Sequence, residues 1–93
     1  MVGELVVMVS FTHVIQGAAG LHARPVTTVC RFAMDHANNA ITVAKGASCA
    51  MANDMLGLMG LNAYCGDTLE VQVDGPDSTR VAEELHALME REL

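Results

Sequence analysis

Residues 67–75, DTLEVQVDG, carry the strictest pattern in the chain: Leu69, Val71 and Val73 alternate with Glu70, Gln72 and Asp74. A period of two describes a strand with one apolar face and one wet face. A sheet containing such a strand is open to solvent on one side and needs helices to cover the other. Two segments of helical period supply that cover. From Ala23 onward, Val26, Val29, Cys30, Ala33 and Ala37 recur at the spacing of one helix face, and from Thr79 to Leu93, Val81, Leu85, Leu88 and Met89 lie opposite Glu83, Glu84, Glu90 and Arg91.

The remaining segments complete the sheet. ELVVMVSFTH (4–13) is Val-rich and suits a first strand, AITVAK a second, and Gly46 permits a tight turn into ASCAM, a short third strand paired with the second as a hairpin. Asn53 and Asp54 are good N-cap residues for MLGLMGL, a helix of about two turns that Gly57 and Gly60 weaken by about 1 kcal/mol each relative to Ala. The order β-α-β-β-α-β-α predicts an α+β open-faced β-sandwich, a four-stranded antiparallel sheet with three helices on one face. Ninety-three residues leave room for a single domain, 1–93.

Several functions are argued against by composition. With a net charge of −6 and scattered basic residues, the chain offers no stripe to displace counterions from nucleic acid. No apolar run is long enough for a membrane span, and MVGELVVMVSF begins with an acid rather than a basic secretion segment, so the expected location is the cytoplasm. Cys30, Cys49 and Cys65 are odd in number and lack a CxxC, which predicts reduced, mostly buried thiols with no disulfide framework and no metal site. His13, His36 and His86 are read as structural or solvated. Glu83, Glu84, Glu90 and Glu92 have no companion nucleophile for acid–base catalysis.

His22 is different. In AAGLHARPVTTVCRF it stands where the first helix begins, with the N–H groups of Ala23 and Arg24 lying ahead of the helical ladder and the helix dipole favouring an anion there. Pro25 lacks only an N–H that would have had no helical partner. Neutral imidazole is a nucleophile, and backbone amides plus Arg24 suit a phosphoryl group held on a ring nitrogen. A reversibly phosphorylated histidine and a plain capping or loop histidine both satisfy these residues.

GLHARP, Gly20 to Pro25, resembles the active-site signature of the histidine-containing phosphocarrier (HPr) family of the bacterial phosphotransferase system. The likeness extends to the order of elements, the DMLGLMGL helix and Gly66 before the last strand. The resemblance implies a stoichiometric carrier, not an enzyme, and no cofactor. His22 would take a phosphoryl group on Nδ1 from Enzyme I, charged by phosphoenolpyruvate, and pass it to an Enzyme IIA-type acceptor in sugar uptake or nitrogen regulation. Arg24 and the amides of Ala23 and Arg24 would steady the phosphate. Partners would dock on Val26, Thr27 and Arg31 of the first helix and on Met55, Leu56 and Met59 of the short one, above buried Leu58 and Leu61. Methionines repack cheaply and suit a surface that meets more than one partner.

Two departures stand out. The position of a regulatory serine in many relatives is held by Asp54, read as an N-cap. Twenty-one residues precede His22, several more than in typical relatives, although a monomer is still expected. The competing reading is an HPr-like docking module that binds a partner without relaying phosphate; a redox or metal protein using the cysteines is the third.

Overall fold

In the computed structural model, which describes residues 7–93, the alternation of residues 67–75 becomes strand β4, Thr68–Gly75, with Leu69, Val71 and Val73 fully buried. Around it lie β1 (Val7–Val14), α1 (Ala23–Asp35), β2 (Ala40–Lys45), β3 (Ser48–Met51), α2 (Met55–Met59) and α3 (Ser78–Glu92). This is the expected β-α-β-β-α-β-α order. The strands form one antiparallel sheet in the order β1-β4-β2-β3, and the three helices cover one face of it. Residues 4–6 of the expected first strand lie outside the described residues.

Register explains the shared inner face. Val9 pairs with Val73 and Phe11 with Val71 on one side of β4, while Ile41 and Val43 oppose Val73 and Val71 on the other. Onto this apolar surface α1 lays Val26, Val29 and Ala33, and α3 lays Val81, Leu85 and Met89, all buried. Each fully buried Val or Leu contributes roughly 1.5–3 kcal/mol of transfer free energy. Leu58 and Leu61 are buried as expected and close the core beneath α2.

Two boundaries differ from the sequence reading. Helix α1 stops at Asp35, so Ala37 is exposed beyond its end rather than on its apolar face. The stop is local: His36 leaves helical geometry at φ −122° and ψ 44°, and its Nδ1–H donates to the Phe32 carbonyl at 2.8 Å. Helix α2 has five residues instead of two turns. Gly57, which weakens it intrinsically, leaves room for the cap: a Cβ there would stand 2.5 Å from the carboxylate of Asp54 and push it aside.

Candidate functional site

His22 is the N-cap of α1, with extended backbone at φ −115° and ψ −174°. Its carbonyl receives the first helical hydrogen bond, from Val26 N–H at 3.0 Å. The amides of Ala23 and Arg24 therefore precede the ladder, and Pro25 has none to offer. The imidazole is exposed and makes no capping hydrogen bond, so it is not held in the role of a capping side chain. No acidic residue lies in the first turn, Arg24 is exposed, and among the described residues no carboxylate lies within 4.0 Å of its guanidinium. An exposed histidine at a helix start with unpaired amides, and an exposed arginine two residues on, make an arrangement suited to an oxyanion.

The arrangement is positioned by a platform that the sequence reading missed. Gly20 adopts φ +69°, and a Cβ on it would sit 2.7 Å from the Ala63 carbonyl oxygen and 2.8 Å from Tyr64 Cα. The loop before His22 thus rests directly on the backbone of residues 63–64, joined there by Leu21 N–H donating to Ala63 O at 2.9 Å. Two further bonds sew the loops together, Ile15 N–H to Asp67 O and Gly66 N–H to Ile15 O. The 62–67 segment is itself braced: Asp67 accepts from Tyr64 N–H at 2.8 Å, and Lys45 Nζ reaches Asp67 at 3.3 Å and the Asn62 carbonyl at 2.7 Å. The Tyr64 N–H bond first, and then Lys45, hold the Asp67 carboxyl below its ordinary value of 3.8. The glycine preceding LHARP was the available signal; the segment it touches lies some forty residues further on, beyond the reach of local pattern.

Of the residues expected to meet partners, Thr27 and Arg31 are exposed on α1, and with Met55 of α2 they line one groove of about 300 Å³. Leu56 is 82% exposed, and Met55 and Met59 are exposed beside it. Val26 is a correction. Its relative exposure is 0%, because it is the first residue of the apolar face that α1 turns to the sheet, so no partner can touch it. Met34, absent from the sequence reading, is 65% exposed and lines the same groove as Arg31 and Met55.

Asp54 caps α2, its carboxylate accepting from Gly57 N–H at 3.0 Å. The thiols also need correction. Cys30 is buried and donates to the Asn53 carbonyl, but Cys49, on the edge strand β3, and Cys65, in the turn after Tyr64, are exposed. Among the described residues none of the three joins a cluster of metal-ligating groups.

Comparisons with known proteins agree with this architecture. The family model described as the PTS HPr component phosphorylation site matches residues 9–91. The chain is similar to the phosphocarrier protein HPr of Treponema pallidum (strain Nichols), 29% identical over 83 residues that cover 89% of this chain and 93% of that protein. Among solved structures it resembles an HPr from Thermoanaerobacter tengcongensis at 26% identity and a TM-score of 0.82, covering 89% of this chain and 92% of that one. A phosphocarrier protein HPr from Bacillus anthracis matches at 25% identity and a TM-score of 0.78, over 87% of this chain and 95% of that one.

Proposed function

The chain belongs to the PTS HPr family, and on that premise we propose that it relays a phosphoryl group through His22 from Enzyme I to an Enzyme IIA-type acceptor. The observation that carries this reading is the exposed, uncapped imidazole at the mouth of α1, beside the amides of Ala23 and Arg24. In the forward step the lone pair of neutral His22 Nδ1 attacks phosphorus as the bond to the donor breaks. The new N–P bond is then broken by the acceptor nucleophile, which leaves the imidazole as it began. Arg24 and the two amides stabilise the equatorial oxygens in both steps. The chain is consumed and regenerated stoichiometrically, with each partner supplying the other half of the reaction centre.

Docking uses Thr27, Arg31 and Met55 of the α1–α2 groove together with the exposed Leu56 and Met59 on α2. The match over residues 9–91 supports a single domain, and we take it to act as one copy in the cytoplasm. Asp54, bonded as an N-cap, offers no hydroxyl to a serine kinase.

The test is incubation with Enzyme I, magnesium and phosphoenolpyruvate. One acid-labile, base-stable phosphoryl group per chain is expected, and it disappears in His22→Ala. No labelling by an Enzyme I that charges another HPr would refute the relay and favour the docking module.

A further inference from the structure

Outside the phosphoryl site, one cluster brings together metal-ligating groups from two elements. His86 and Glu90, at i and i+4, share a face of α3 and meet His13 on β1. His13 Nδ1 lies 3.1 Å from Glu90 Oε2, His86 Nε2 lies 4.0 Å from the same oxygen, and one donor atom from each residue falls within 4.8 Å of the other two. We propose that His13, His86 and Glu90 form a binding site for a divalent transition-metal ion, with zinc the best match to two imidazoles and one carboxylate.

The donors suit the ion in kind and in spacing. Zinc bonds of about 2.0–2.2 Å to nitrogen and oxygen separate tetrahedral ligands by about 3.4 Å. The His13–Glu90 pair is already near that separation, the His86–Glu90 pair needs to close by less than 1 Å, and the two imidazole donors, within 4.8 Å of each other, by at most about 1.4 Å. Glu90 and His86 have the freedom to move, with side chains 61% and 46% exposed, whereas His13 is a fixed base at 2%. Phe11 stacks on the His86 ring at a centroid distance of 4.6 Å. Among the described residues the only charged or titratable partners of Glu90 are these two imidazoles, so no Lys or Arg competes for its charge. The chain's net charge of −6 also favours a cation.

His13 Nδ1 faces the Glu90 carboxylate, and Nε2 is buried without a partner. To bind a metal through Nδ1 the ring takes the Nε2–H tautomer, its proton moving from Nδ1 to Nε2. Three protein ligands with two exposed members leave a coordination position for water.

The experiment is calorimetric titration of zinc into the untagged full chain, with cobalt(II) absorption as a second readout of coordination. One equivalent of zinc is expected to bind, with affinity reduced at least tenfold in His86→Ala and in Glu90→Gln. Both substitutions fall at exposed helix positions, and circular dichroism verifies that each variant is folded. Binding is expected to survive in His22→Ala and in the double variant Cys49→Ser/Cys65→Ser. No uptake by the wild-type chain, binding unchanged in both α3 variants, or binding lost with His22 or the thiols would each overturn the assignment.

Discussion

Replacing Gly20 by alanine tests whether the platform beneath His22 is what positions it. Two effects add. A non-glycine residue at φ +69° costs about 1 kcal/mol. The new Cβ would also stand 2.7 Å from Ala63 O and 2.8 Å from Tyr64 Cα, where ordinary contact begins near 3.4 Å. Both neighbours are backbone, so the loops must part by about 0.7 Å, which stretches the 2.9 Å bond from Leu21 N–H to Ala63 O beyond hydrogen-bonding range. That bond contributes about 1 kcal/mol, and loosened packing around buried Leu21 and Ala63 costs about as much again. The expected loss is therefore about 3 kcal/mol, a large share of a total that is typically 5–15 kcal/mol. Gly46→Ala supplies the control: its φ of +59° imposes the same backbone cost, but nothing lies within 4 Å of its Cβ, so about 1 kcal/mol is expected. Equilibrium urea unfolding measures both. Under folding conditions Gly20→Ala should also label at His22 at least tenfold more slowly, since a misplacement approaching 1 Å is enough to spoil a transfer geometry. Equal destabilisation by the two substitutions, or wild-type labelling in folded Gly20→Ala, would refute the reasoning.

Three other outcomes follow from the same coordinates. Val26→Ala should lose about 2–3 kcal/mol of stability in urea unfolding, whereas Leu56→Ala, at 82% exposure, should leave stability within about 0.5 kcal/mol and weaken binding to Enzyme I in a calorimetric titration. Asp54→Ala should cost about 1 kcal/mol by removing the bond to Gly57 N–H, with Asp54→Asn retaining most of it. Asp67 has a folded-state pKa below 3.8, so its contribution is present above that value and disappears as pH falls through the lower folded one. Denaturation curves between about pH 5 and pH 3 should show a shallower fall for Asp67→Asn than for wild type, and identical slopes would dismiss the Asp67 bracing.

What the sequence made legible is what periodicity encodes. The alternation of β4 gave three inward positions that are all fully buried, and AITVAK is β2 to the residue. His22 at the helix entrance could be read from LHARP because helix starts have local chemistry. Partner strands are another matter: a period of two says which face a residue takes but not which strand lies beside it, so the central place of β4 was not readable. In β1 the inward series Val9, Phe11, His13 hides a buried histidine among apolar residues, and its hydrogen-bond partner Glu90 lies far along the chain. Exposure of Cys49 escaped for a related reason. A thiol's usual preference for burial yields to its place on an edge strand.

The strand order also has a kinetic meaning. Because β1 pairs with β4, Val9 must find Val73 across about sixty intervening residues, and closure of so long a loop is slow compared with forming the β2–β3 hairpin. The segment that leads into His22 can settle only after that late pairing. During synthesis the β2–β3 hairpin can form early, but the loop before His22 bonds to residues 63, 67 and 93 and completes its contacts only once all of these have left the ribosome.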